Sequence, residues 1–351
     1  MKKSIALILA LILIISLAAC GSPSGGEQAA PASAAPGQEQ TEVPVNAEPI
    51  TLNIAASYAD GSDFINYLQS ACDAITERTD GTINFQIYTS NQLGSVADCM
   101  EQMLNGANIV AESGMAVLSS YSAEAAIPAY PYVANDYDEL MTLVHSDWWA
   151  GVRQELVDQC SMVPIMYFSA GYRNMIGNAA VRCADDLAPC ITRIGLGTIG
   201  QEFITACGGT PTTTSTFSDC YSALQTGMFE LCEADLELLY NSALYEVSDY
   251  LSVTHHMLCP AVYSVNAQVW DSIPEEYQAV VLEEFETAAE NIWNNSVAKE
   301  AEWIAKFEET GITVIKNDEI DMESFKATVP YIVEAEGIDP AVYDEVAAIL
   351  K

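Results

Sequence analysis

The sequence predicts an α/β fold of two units, on three observations. Short apolar strands alternate with amphipathic helices, the alternation restarts after about residue 160, and one long helical pattern follows both runs. At 351 residues and 50% hydrophobic content the chain can bury two ordinary cores, and its length favours two domains.

The elements follow in order. ITLNIAA (50 to 56) reads as a strand, and behind Asp63 the residues Phe64, Leu68, Cys72 and Ile75 recur at near-helical spacing. Gly81 stops that helix, Ile83, Phe85 and Ile87 alternate as a second strand, and Ser95 with Asp98 forms a capping-box start for the next helix. ANIVAES is a third strand. MVPIMYFS, RNMIGN and ITRIGL are read as further strands, followed by a helix through Phe203 and Ile204 and then TPTTT. Parallel strands of this kind collect ligands at their carboxyl ends, which points to Ser57 and Tyr58 after the first strand. The long pattern opens at SIPEEYQ, with Ser272 and Glu275 as expected cap partners and a stripe of Tyr277, Val281, Phe285, Ala288 and Ile292. Run through to Gly311 it is long enough to brace both units; a break at Asn294 and Asn295 is the alternative.

Composition narrows the function classes. Twelve Lys plus Arg face 49 Asp plus Glu, a net charge of -37 that repels nucleic acid and anionic membrane surfaces. No lysine stands between Lys3 and Lys299, and the only arginines are Arg78, Arg153, Arg173, Arg182 and Arg193. Three of these five fall between 173 and 193.

At the N-terminus, Lys2 and Lys3 precede the apolar run SIALILALILIISLAAC, the pattern of a secretory signal. It ends in LAAC, similar to the bacterial lipoprotein cleavage box, with Cys20 as the lipidated residue. Residues 21–48 have the Gly, Ser, Pro, Ala and Gln content of a flexible tether. The expectation is an exported protein, lipid-anchored to the cell membrane on its extracytoplasmic side.

Nine further cysteines show no CxxC pair and no zinc spacing, so they are read mostly as buried free thiols, with a Cys183–Cys190 disulfide left open. His145, His255 and His256 are too few for a histidine metal site and are read as structural. No metal or cofactor is expected. GLGTIG (195 to 200), with Asp219 downstream, matches the dinucleotide fingerprint, but its strand is not the first of its sheet, and tight helix–strand packing accounts for the glycines. No GxSxG elbow, HExxH helix or P-loop is present.

FSDCYSALQTG at 217 to 227 resembles the FSEVYxALQTG segment of the DctP family, the solute-binding proteins of TRAP (tripartite ATP-independent periplasmic) transporters. Further matches stand in the family's order: NQLGS at 91 to 95, AES at 111 to 113, GYRN at 171 to 174, ITR at 191 to 193, YEVSDYLSVTHH at 245 to 256 and WDSIPEEYQ at 270 to 278.

The resemblance implies a two-domain, type II-like periplasmic-binding-protein fold with crossover strands and a long bracing hinge helix. Its domains would be 49–170 with 260–299, and 171–259 with 300–351. It implies a receptor that captures a small carboxylate-containing organic acid between the domains and delivers it to the small and large TRAP permease subunits. An exported enzyme acting on such an acid is the alternative. On the family pattern Arg193 makes the bidentate carboxylate contact and Arg173 supports it, Phe217 lines the cleft, and Glu112 matches a polar residue of sialic-acid-binding members. A guanidinium suits this task because its planar fork matches a carboxylate. Arg182, just before Asp185 and Asp186, is read as a surface ion pair. One departure stands out: the family's D-G-Q-E-N-P aligns to ELCEAD at 230 to 235, so Ala234 replaces a ligand-contacting asparagine and Cys232 a glutamine.

Overall fold

The computed structural model describes residues 49–351, apart from 196 and 214–216 and the side chain of Ser218. The lipobox, Cys20 and the tether lie outside the described residues.

Among the described residues nine strands form one continuous sheet: β1 (Ile50–Ala55), β2 (Ile83–Tyr88), β3 (Ile109–Gly114), β4 (Met162–Gly177), β5 (Ile191–Arg193), β6 (Thr210–Thr212), β7 (Leu231–Asp235), β8 (Tyr250–Asn266) and β9 (Thr313–Ile315). The order is β2-β1-β3-β8-β4-β7-β5-β6, with β9 beside β8. Each half repeats one plan. β1 lies parallel between β2 and β3, and β5 lies parallel between β6 and β7. The long antiparallel pair β4 and β8 joins the halves, pairing with β7 and β3 respectively. MVPIMYFS and RNMIGN, expected as separate strands, are one 16-residue strand. Register shifts at Pro164/Met166, Ser169/Tyr172 and Arg173/Met175 let it bend without ending.

The helices are α1 (Asp63–Arg78), α2 (Val96–Leu104), α3 (Tyr137–Val144), α4 (Asp147–Cys160), α5 (Thr198–Ala206), α6 (Cys220–Thr226), α7 (Leu236–Asn241), α8 (Ala267–Asp271), α9 (Glu275–Thr310), α10 (Met322–Lys326), α11 (Val329–Ala335) and α12 (Pro340–Ile349). Ser62 caps α1, accepting from the Ile65 N–H, and buries Phe64, Leu68, Cys72 and Ile75 on one stripe. The Ser95 and Asp98 capping box of α2 is formed as expected.

The long helix is continuous. All 36 residues of α9 are helical through Asn294 and Asn295, about 54 Å at ~1.5 Å per residue. Val281, Phe285, Ala288 and Ile292 are buried along it, and Phe307 is buried near its far end in the core around β7. The expected cap is not formed. Pro274 occupies the N-cap, which suits a residue with no N–H to satisfy, while Ser272 ends α8 and its hydroxyl donates to the Val269 carbonyl at 2.6 Å.

All nine described cysteines are free, Cys183 and Cys190 included. The glycine-rich run behaves as packing: a Cβ on Gly200 would lie 2.6 Å from Ile194 Cγ1, so α5 can sit against the end of β5 only with glycine there.

Candidate functional site

The candidate side chains lie toward the carboxyl ends of β1, β3, β5 and β7 and at the bends of β4 and β8. The bend in β4 is built by GYRN itself. Gly171, at φ +117, takes a conformation that other residues rarely adopt, in the register shift between Ser169 and Tyr172. Arg173 then pairs across the sheet with Asp235 on β7 and Met257 on β8.

Arg173 is committed to Glu233. Its Nε and Nη2 engage the two carboxylate oxygens, Nη2 to Oε1 at 2.6 Å, and Nη2 also donates to the Glu233 carbonyl at 3.2 Å. Glu233 is fully buried. Burial alone would raise its pKa, but the Arg173 charge and the nearby His256 outweigh that and hold the carboxyl well below the usual range. Burial likewise acts to lower the Arg173 pKa, and the Glu233 charge more than restores it. His256 Nε2 lies 3.7 Å from Glu233 Oε2, and its Nδ1 is 2.7 Å from Thr254 Oγ1. Burial dominates at His256 and pushes its pKa down. Phe203 stacks on its ring at 5.4 Å and 4°.

Arg193 stands at the end of β5, only 7% exposed, with its guanidinium 5.0 Å from the centre of the Phe217 ring. Register separates the two arginines. Arg193 is level with Cys232, whereas Arg173 is level with Asp235, so they project to opposite faces of the sheet. What links them is Gly195, two residues beyond Arg193, whose N–H donates to Glu233 Oε1 at 2.7 Å. A Cβ on Gly195 would come within 3.2 Å of Arg173 Nη2, so the loop after β5 rests directly on the ion pair. Cys232 and Ala234 share the face of Arg193 and are buried, so β7 offers no polar side chain there.

Ser57, Tyr58 and Glu112 form a second group. The Glu112 carboxylate accepts from the Ser57 N–H at 3.0 Å and from its hydroxyl at 2.9 Å, and from the Tyr263 hydroxyl at 3.4 Å. Burial raises the Glu112 pKa against those hydrogen bonds. Tyr58 stacks on Phe64 at 3.7 Å. Its phenol is held well above its ordinary pKa, first by burial and then by Glu112, Asp235 and Cys259. Groups from both halves of the sheet therefore act on Tyr58.

Sequence reasoning missed Glu233 and Cys259 and read His256 only as structural. The signal for Glu233 was available: it is the one acidic residue of ELCEAD standing where the related motif also has glutamate. Cys259, 3.8 Å from Arg173 Nη1, carried no signal. Arg182 differs from expectation. It is exposed, and Asp186 accepts from its backbone N–H at 2.7 Å; among the described residues its guanidinium makes no ion pair.

Comparison with known proteins completes the picture. The family model described as DctP, bacterial extracellular solute-binding protein, family 7, matches residues 54–336. The chain belongs to this family. It is a solute-binding protein of the TRAP transporter kind, a receptor and not an enzyme, with an extracytoplasmic place of work. Among its relatives is the sialic acid-binding periplasmic protein SiaP of Vibrio cholerae serotype O1, 24% identical over 268 residues, 76% of this chain and 83% of that protein.

Among the solved structures that share this fold are two TRAP solute-binding proteins. An apo open TRAP periplasmic solute-binding protein from Escherichia fergusonii has a TM-score of 0.77 at 24% identity, covering 85% of this chain and 99% of that one. A TRAP periplasmic solute-binding protein from Ochrobacterium anthropi with bound L-fuconate has a TM-score of 0.75 at 24% identity, covering 86% and 100%. The continuous sheet, the crossover pair β4 and β8 and the long α9 are thus the two-domain binding-protein architecture that the sequence resemblance implies.

Proposed function

We propose that this DctP protein captures a small carboxylate-containing organic acid at Arg193, with Phe217 beside it and Arg173 in support. The lobes that close on the ligand are residues 49–170 with 260–299 and residues 171–259 with 300–351. Ser57, Tyr58 and Glu112 contribute the wall of the first lobe. Loaded receptor then delivers the acid to the small and large TRAP permease subunits, and Cys20 carries a lipid that holds the protein at the membrane.

The observation that carries this reading is Arg193: a nearly buried cation at a strand's carboxyl end in a chain with only five arginines, its guanidinium laid over an aromatic ring. Charge-assisted bidentate hydrogen bonds to a carboxylate are worth ~1.5–3 kcal/mol net, more once water is excluded. Exposed acids more than ~8 Å away are largely screened at physiological salt, so the net charge of -37 does not forbid an anionic ligand. Arg173 acts through Glu233 and Gly195 to hold the end of β5 in place.

Sialic acid, in the name of the Vibrio relative, and L-fuconate, in the Ochrobacterium structure, are both carboxylic acids and define the first panel to test. Thermal shift and calorimetry over sugar acids and dicarboxylates should find one ligand that stabilises the native protein by mass action. Arg193→Ala should abolish that stabilisation. Unchanged affinity of the variant for the same acid would refute the assignment.

A further inference from the structure

A second cavity, of about 510 Å³, lies apart from both arginines of the ligand site, between α4, the first half of β4, α8 and α9. That volume is in the range of small-molecule sites. Its floor follows from the topology. From Met162 to Ser169 strand β4 pairs with β8 on one side only, because β7 joins its other side from Arg173 onward. The side left open is roofed by helices instead of a strand, and Val163, Met166, Trp270 and Leu282 line the space between.

One arginine lines this space, whose wall mixes apolar and polar side chains. Arg153 on α4 is half-buried, and among the described residues it forms no ion pair. Arg182 also lacks an ion pair among the described residues but is exposed, and six other cations differ from Arg153 in having a partner. Arg78, Arg173, Lys299, Lys316 and Lys326 each hold a carboxylate, and Lys306 lies over the Trp303 ring. With 49 acids in the sequence, a half-buried guanidinium that none of the described ones holds is left with donors to offer. Asp271 and Glu286 also line the cavity; both are exposed, neither pairs with Arg153, and Glu286 Oε2 lies 3.8 Å from His145 Nε2. Tyr167 adds a hydroxyl to the wall, accepting from Trp149 Nε1 at 2.9 Å.

We propose that this cavity is a second binding site, for a small amphiphilic carboxylate whose apolar body lies between Trp270, Val163 and Met166 and whose head group sits on Arg153. Charge complementarity selects the head and the apolar walls select the body. The site is independent of the ligand reading for Arg193, since the two share no residue.

The test uses the full chain with octanoate and the fluorescent anion 8-anilinonaphthalene-1-sulfonate as probes. Expected are saturable binding of one probe per protein, displacement by octanoate, and about tenfold weaker binding in Arg153→Gln, the loss of one charged hydrogen-bond partner. Arg153→Lys should recover part of that affinity, and Arg193→Ala should leave it unchanged. Octanamide, with the same body and no charge, should compete about tenfold more weakly than octanoate. Circular dichroism of each variant separates lost binding from lost fold. Absence of saturable binding, equal affinity in Arg153→Gln, equal competition by octanamide, or loss of the site in Arg193→Ala would each overturn the proposal.

Discussion

Arg173 and Glu233 form a bidentate ion pair in which the carboxylate is fully buried and also accepts the Gly195 N–H. One glutamate therefore neutralises an arginine on β4 and pins the loop that leaves β5. On the proposed function Arg173 positions and Arg193, on the opposite face, meets the ligand. Breaking such a pair leaves a charge buried without a partner, which costs about 3–5 kcal/mol. Glu233→Ala should lose stability of that order in urea unfolding. Arg173→Met combined with Glu233→Met should lose less than Glu233→Ala alone, because no orphaned charge remains; an equally large loss would show that the pair's charge is not what matters.

The same pair sets an acid limit. The Glu233 carboxyl is held down toward about 2 against its ordinary 4.5, so its contribution is complete above about pH 4.5 and lost as pH falls through the folded value. His256 has the same sign. Its folded pKa is depressed, so the unfolded chain binds the proton first and stability falls as pH drops below about 6.5. Glu112 is opposite: its raised folded pKa gives a contribution present at low pH and lost as pH rises through that value. Melting temperature against pH should therefore fall on the acid side in two stages. Glu233→Gln should flatten the lower stage, between about pH 4.5 and 2, and His256→Asn the upper; a Glu233→Gln profile parallel to wild type would contradict this assignment.

Much of this was legible in the sequence for identifiable reasons. Strands and helices with one buried face announce themselves by period, so α1 and the stripe of α9 were readable, and the Ser95 and Asp98 box is a local motif. Continuity of β4 was not, because register shifts and a positive-φ glycine look in one dimension like a strand end. Nor was the partition of Arg173 and Arg193 to opposite faces. It depends on the registers of β4 and β5 against β7, which are properties of the sheet and not of any one segment. The missing cap at Ser272 failed for a local reason: the motif was present, but the short helix α8 had already claimed that serine.

Glu112 separates local positioning from global stability. Its carboxylate accepts both the N–H and the hydroxyl of Ser57, holding the turn that presents Tyr58. Ser57 is exposed and its freed donors find water, so Glu112→Ala should cost about 1–2 kcal/mol, chiefly through the buried Tyr263 hydroxyl that loses its partner. On the proposed function the same change should weaken ligand binding several-fold more than it lowers stability, because the first-lobe wall loses its fixed geometry. Calorimetry with the identified acid decides; an unaltered affinity would remove Glu112 from the binding site.

Gly200 tests the reading of GLGTIG as packing. A Cβ at this position would meet Ile194 Cγ1 at 2.6 Å and Cδ1 at 3.1 Å, inside van der Waals contact, and Ile194 is only 3% exposed. Gly200→Ala gains helix propensity of roughly 1 kcal/mol, but overpacking of this severity costs typically ~1–3 kcal/mol, so the net change should be destabilising. The compensating change is specific. In Ile194→Ala the clashing Cγ1 and Cδ1 atoms are gone, so adding Gly200→Ala in that background should be neutral or stabilising, and the two substitutions should be strongly non-additive in a double-mutant cycle. A glycine kept for close approach to a bound phosphate would instead give additive stabilities, because nothing in the protein itself would be relieved by trimming Ile194.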